Sequence, residues 1–231
     1  MKIEEFIKEV EILGIHLNEE TLKKIEQFYK LLIEWNNKIN LTRITETEEV
    51  YLKHFYDSLT LFKTINLSEI NNLCDIGSGA GFPGLLLKIV FPNINVTLVD
   101  SLQKRVNYLN TIIKQLDLKN IVAIHERGED FARKNYEKYD VVTARAVTNL
   151  KVLSEICIPL VKIDGYFIPM KSSVNEELKN SQEIIKELGG EIEKIEEFYL
   201  PVENSLRTLI KIKKKYPTNR KYPRPINQIK K

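Results

Sequence analysis

The chain has 231 residues, 43% of them hydrophobic and 29% charged, with a net charge of +3. That length allows one α/β domain with an appendage or two small domains, and the composition is that of a soluble globular protein. A membrane-embedded chain is excluded, because the longest apolar runs, such as residues 84–91, are short and broken by Lys88; so is a chain basic throughout.

The opening MKIEEFIKEV is acidic and amphipathic and lacks the apolar core of a signal peptide, which points to a cytoplasmic protein. Residues 4–13 carry Phe6, Ile7, Val10 and Leu13 at helical spacing, and Gly14 is a suitable stop. Asn18 before Glu19, Glu20 and Thr21 reads as an N-cap with acids in the first turn of a second helix, which runs past Phe28 and Trp35. A third helical stretch covers 47–64; His54 and Asp57 share a face there, and a local helix hydrogen bond is the simplest account of them. Residues 1–66 are thus expected to form a helical cap, with Trp35 and residues 40–42 closing it onto the rest.

At Ile70 the pattern changes to short apolar runs alternating with helical periodicity. Strands are predicted over 72–76, 95–99, 121–125, 140–144 and 166–170, and helices over 83–90, 102–116, 131–135, 150–161 and 175–188. This alternation argues for βαβ units in a doubly wound, mostly parallel sheet over 67–215, closed by β-like runs at 192–200 and 206–212. Cys74 and Cys157 sit in apolar surroundings and read as core thiols of a reducing compartment. His16 and His125 have no metal-ligand spacing, so no metal site is expected. From Lys211 onward the chain has no acid. Its tail, 216–231, suits a polyphosphate partner or simply solvation, and is expected to be disordered until a partner binds.

The strongest local signal is the run LCDIGSGAGFPG, residues 73–84, in which an apolar strand enters a glycine-rich turn and Pro83 suits a helix start. Asp100 ends the next strand, where a carboxylate can accept the hydroxyls of an adenosine ribose. Together they indicate an adenosine-containing cofactor. Asp75 tilts the choice from a nicotinamide dinucleotide to S-adenosylmethionine, since a carboxylate beside the glycines meets a cationic amino-acid end but would repel a pyrophosphate. The spacing Asp75, Gly77, Gly79, Gly81 is also the first motif of class I, Rossmann-like methyltransferases.

Segments spread along the chain narrow this further: WNNKINLT (35–42), HFYDSL (54–59), DIGSGAGFPG (75–84), DSLQKR (100–105), TARAV (143–147) and KYPR (221–224). On these, the sequence resembles the bacterial glucose-inhibited division protein B family, small-subunit ribosomal RNA guanine-N7 methyltransferases. The resemblance implies S-adenosylmethionine as cofactor and small-subunit ribosomal RNA, or the subunit itself, as partner. It implies that Gly77 and Phe82 line the cofactor pocket, that Gly128 and Glu129 contact the adenine side, and that Arg145 lies at the cofactor or substrate site. Where the family often has Ala-Glu, this chain has Gly128-Glu129, and no loss of binding is expected.

Guanine N7 has a free lone pair and no proton to lose, so methylation there needs no general base, in keeping with the lack of a catalytic dyad. Arg145 ends the fourth predicted strand, where function competes with a structural ion pair; as the one catalytic candidate it is expected to position substrate. Lys104, Arg105, Lys171, Arg207, Arg220 and Arg224 are candidate RNA contacts, with solvated faces as the alternative. A methyltransferase for small molecules or proteins, a nicotinamide-dependent enzyme and a non-catalytic nucleotide sensor remain the rival readings. A monomer is the default expectation.

Overall fold

The computed structural model describes residues 1–145 and 148–229; Ala146 and Val147, the end of the 143–147 segment, lie outside the described residues, as do Lys230 and Lys231.

Helices come first. α1 (Ile3–Ile12) buries Phe6 and Val10, and α2 (Glu19–Ile39) buries Ile25, Phe28, Leu32 and Asn36 along one stripe. The Asn18 side chain accepts from Thr21 N at 2.8 Å, and Asn40 ends α2 in the left-handed region at φ 51°. The stretch predicted over 47–64 is helical but irregular: α3 (Thr47–Val50) passes through a π-helical turn, Tyr51–Tyr56, into α4 (Asp57–Leu59) and a 3₁₀ turn, Thr60–Lys63. Aromatic rings tie these pieces together. Phe55 lies 5.0 Å from Tyr51, 5.7 Å from Phe28 and 5.8 Å from Phe82 of the glycine turn. One continuous core therefore runs from Met1 through the helices into the sheet as far as Leu209.

The sheet has seven strands: β1 (Asn72–Ile76), β2 (Asn95–Asp100), β3 (Ile121–His125), β4 (Tyr139–Arg145), β5 (Val161–Lys171), β6 (Gly190–Tyr199) and β7 (Leu206–Lys214). Their order is β3-β2-β1-β4-β5-β7-β6, parallel through β5, with β7 antiparallel to both β5 and β6. Between them lie α5 (Gly84–Val90), α6 (Gln103–Gln115), α7 (Gly128–Lys134), α8 (Leu150–Cys157) and α9 (Asn175–Glu187). The chain winds outward from β1 to β3, then returns to β4 on the other side of β1. That switch point opens a crevice at the carboxyl ends of the strands.

Three expectations need correcting. The helix predicted over 150–161 ends at Cys157; Ile158–Leu160 tighten into a 3₁₀ turn, and the β-branched Val161 already pairs with Tyr139 in the sheet. The helix predicted over 131–135 begins at Gly128, its charged first turn, Glu129 and Asp130, having hidden it from an apolar-periodicity search. The tail is not loose. Residues 216–229 pack on the domain and end in a turn of helix, α10 (Ile226–Ile229), with Tyr222 and Ile229 buried. Apolar and aromatic residues interleaved with the cations supply the burial that composition alone concealed.

Among the described residues no helix is long and apolar enough to cross a membrane. Cys74 and Cys157 are both buried free thiols, and burial pushes both thiol pKa values up.

Candidate active site

Behind the glycine turn stand two carboxylates. Gly77, Gly79 and Gly81 all adopt positive φ, and Gly84 packs so tightly that a Cβ there would lie 2.7 Å from the Cβ of Asp75. Asp75 is fully buried, and its Oδ2 accepts from Gly84 N at 2.9 Å, fixing the start of α5. Burial lifts its pKa to about 6, although the Gly84 amide and the Arg145 charge pull the other way. Its Oδ1 is buried and has no hydrogen-bond partner among the described residues. Asp100 works similarly: Oδ2 accepts from Gly79 N at 2.9 Å and Oδ1 from Leu102 N at 2.9 Å, with Arg105 Nη1 at 3.4 Å. The carboxylate read from the sequence as a ribose acceptor thus also braces the glycine turn against the head of α6.

Two cavities open at this edge of the sheet. The first, about 250 Å³, is lined by Gly77, Ser101, Gly128 and Glu129 together with apolar residues that include Val99 and Val152. A Cβ on Gly128 would come within 3.0 Å of Ile156 and 3.1 Å of Ile76, so the substitution of Gly for Ala noted in the sequence also leaves room here. Asp75, Gly79, Gly81, Phe82 and Asp100 shape this cavity from behind rather than lining it. The mixed apolar and polar lining fits an adenosine-type cofactor.

The second cavity, about 430 Å³, lies between the helical cap and β4, β5 and β7. Its lining includes Lys53, Arg145, Lys171 and Arg207 against two carboxylates, Asp57 and Glu177. Asp57 is the organising group. Its Oδ1 accepts from Arg207 Nε at 3.1 Å and its Oδ2 lies 3.4 Å from Arg145 Nη1. Arg145 also donates to Lys53 O at 3.0 Å, and its Nη2 lies 3.2 Å from His54 Nδ1. A guanidinium can only donate, so His54 Nδ1 accepts and its Nε2–H donates to Thr42 Oγ1 at 2.9 Å. Burial, reinforced by the Arg145 charge, lowers the His54 pKa to about 3 and keeps the ring neutral. The imidazole stacks on Phe82 at 4.6 Å with 14° between planes, and Arg145 lies 5.3 Å over the same ring. Phe82, expected to line the cofactor pocket, is thus buried beside the second cavity.

The local helix bond expected between His54 and Asp57 does not form; both reach across to Arg145, some ninety residues on. The sequence offered no sign of that pairing beyond the HFYDSL segment itself. The other candidate cations disperse. Lys171 donates to Thr148 O and Glu177, both at 2.7 Å, joining β5 to the head of α8. Lys104 reaches the Ile39 carbonyl at 3.5 Å, and Arg105 is spent on Asp100. Arg220 lies 4.0 Å over the Tyr136 ring. Arg224 forks onto Glu155, which is completely buried, at 2.9 Å and 2.7 Å, a contact that turns it inward rather than toward a polyphosphate.

Solved structures similar in fold include precorrin-6y C5,15-methyltransferase from Geobacter metallireducens, at a TM-score of 0.52 and 14% identity over 74% of this chain and 90% of that one. Another is TYW2 from M. jannaschii, determined in complex with AdoMet, at 0.52 and 14% over 63% and 70%. At such identities they speak for the fold alone. Sequence comparison is sharper: the ribosomal RNA small subunit methyltransferase G of Bacillus licheniformis is 50% identical over 97% of this chain and 95% of its own length. That of Bacillus cytotoxicus is 48% identical over the same shares. A family model described as rRNA small subunit methyltransferase G matches residues 21–206, which takes in nearly all of α2, the glycine turn, Asp57, Arg145 and strands β1 to β6. With all but one of the lining residues of each cavity inside the matched segment, the chain belongs to the rRNA small subunit methyltransferase G family.

Proposed function

We propose that this protein transfers the methyl group of S-adenosylmethionine to N7 of a guanine in small-subunit ribosomal RNA. The observation that carries the reading is a pair of cavities at the carboxyl edge of one sheet. One, with a mixed apolar and polar lining, contains Gly77 of the glycine turn with Gly128 and Glu129; the other has four basic and two acidic lining residues. The first suits the cofactor and the second an anionic polymer.

When bound, the cofactor would supply an electrophilic methyl group on a sulfonium: the guanine N7 lone pair forms the new N–C bond in line as the C–S bond breaks, and the neutral thioether leaves. The protein then has to orient and exclude rather than move a proton. Neutral His54, held as one tautomer between Thr42 and Arg145, has no role as a base in this scheme; it fixes the guanidinium and covers Phe82. Arg145 and Arg207, both anchored on Asp57, keep N–H groups for a phosphate or a base oxygen. Lys171 lines the same cavity. The buried Oδ1 of Asp75 is the acceptor we assign to the cofactor's cationic end. Such a substrate lies in the cytoplasm, and the proposal carries that location with it.

The test is transfer of labelled methyl from S-adenosylmethionine to ribosomal RNA and small subunits from cells lacking the protein, with modified nucleosides identified by mass. One new 7-methylguanosine is the expected product. Cofactor binding without RNA methylation would shift the reading to a methyltransferase of small molecules or proteins.

A further inference from the structure

The charge of the tail suits a polyphosphate partner or simple solvation, yet its strongest contacts point inward. The Lys214 ammonium is buried and donates to Ile158 O at 3.1 Å and to Thr218, whose own hydroxyl donates to Leu188 O at 2.7 Å. Arg133 Nε donates to Pro223 O at 3.0 Å, and the Tyr136 hydroxyl to Tyr222 O. Arg224 then gives both its backbone N–H and its guanidinium fork to Glu155, at 2.8, 2.9 and 2.7 Å. A completely buried carboxylate is costly unless every lone pair is satisfied, and here the tail supplies the partner. The position of this clamp is informative. Ile156, next to Glu155 on α8, lines the first cavity, and so does Ile226, two residues beyond Arg224. All the other described lining residues come from 76–156.

We infer that the C-terminal segment forms a wall of the cofactor cavity, with Ile226 supplying an apolar surface for the adenine ring and the Arg224–Glu155 fork acting as the positioning clamp that holds it there. This rests on the assignment of the first cavity to the cofactor. Val152 and Ile156 offer apolar surface from α8, and a flat heteroaromatic ring binds best when enclosed by such surface. The clamp is fork-shaped and charge-assisted, so it fixes both distance and orientation of the segment. Arg220 stays exposed over Tyr136.

Isothermal titration of the full-length protein with S-adenosylmethionine tests this, alongside thermal unfolding and the affinity for a small-subunit ribosomal RNA fragment without cofactor. Ile226→Ala is expected to weaken cofactor binding roughly 5–10-fold, the loss of part of one buried aliphatic side chain. Ile226→Leu should restore most of it, and RNA affinity should stay within about twofold of wild type. Arg224→Lys, which keeps the charge but loses the fork, should weaken cofactor binding in the same direction. Val152→Phe fills the cavity from α8 and serves as control. If it abolishes cofactor binding while Ile226→Ala changes nothing, the wall inference is wrong and the cavity assignment stands. If Val152→Phe binds cofactor normally, the cavity assignment itself fails and takes the inference with it. Loss of RNA affinity with unchanged cofactor affinity in Ile226→Ala would return the tail to an RNA-binding role.

Discussion

Replacing Asp57 by Asn removes one negative charge and almost no volume, and the structure sets what should follow. The Asp57 side chain is 8% exposed and stands between two guanidiniums, Arg145 at 14% and Arg207 at 20%. Removing one partner of a fully buried pair costs about 3–5 kcal/mol; the residual exposure of both arginines and the oxygen kept by Asn bring our expectation to about 2–3 kcal/mol. For a chain of this size that is a fall in Tm of roughly 5–10 °C. Freed of its anchor, Arg145 should drift from Phe82, and methyl transfer at saturating RNA should drop at least ~10-fold, whereas cofactor affinity in the other cavity should change less than ~3-fold. Adding Arg207→Gln to Asp57→Asn relieves the like-charge contact and should recover part of the stability but none of the activity. Scanning calorimetry and single-turnover methylation read both effects. A Tm within about 1 °C of wild type, or strictly additive losses in the double variant, would refute the view that Asp57 organises the two arginines.

Other consequences are equally checkable. The folded-state pKa of His54 lies near 3, below its unfolded value, so its contribution to stability is complete above about pH 6.5 and drains away as pH falls. At pH 5 this amounts to about 2 kcal/mol, seen in urea unfolding and absent in His54→Gln. Asp75 acts in the opposite sense: its pKa is raised to about 6, so folding gains as pH drops through 6 toward 3.8. Asp75→Asn should therefore be at least as stable as wild type at pH 8, yet bind cofactor ~10-fold or more weakly by titration calorimetry. Arg224→Ala strands the buried Glu155 and should cost about 3 kcal/mol, whereas Arg220→Ala should cost under ~1 kcal/mol; equal losses in denaturant melts would contradict the assignment of Arg224 to the interior. RNA affinity should fall linearly with log salt, and Arg207→Gln or Lys171→Gln should each lower the slope by about one unit; unchanged slopes would remove these cations from the RNA path.

Much of the main domain could be read from the chain because its signals are local. The run from Leu73 to Gly84 joins a strand, a turn and a helix start within one stretch, and the apolar alternation to Met170 follows β-α periodicity. Misreadings arose where a local signal served a distant partner. Asp75 and Asp100 show a second use beside the ligand-facing one read from the sequence: they accept from turn amides that lack helical partners. His54 and Asp57 share a helix face, so a local bond was the obvious account; their real partner, Arg145, is brought to them by the pairing of β1 with β4. The tail misled for a compositional reason. Lys214 and Arg224 count as charges in a sequence, and nothing in a sequence says that one will be capped by a carbonyl and a hydroxyl and the other matched to Glu155.

The order of strands at one edge bears on how the chain is assembled during synthesis. β6 is made before β7, but it pairs only with β7, and only β7 joins it to β5. Until Leu206 and its successors emerge, β6 has no neighbour and β5 presents an open flank of unpaired amides and carbonyls. The two final strands thus have to close as a hairpin whose inner member docks on β5, and only then does Leu209 complete the core that began at Met1. A nascent chain halted just short of Leu206 would hold every glycine and acid of the cofactor pocket described above, yet carry an adhesive border. Ribosome-bound intermediates of that length should accordingly be the ones that recruit chaperones or associate with one another.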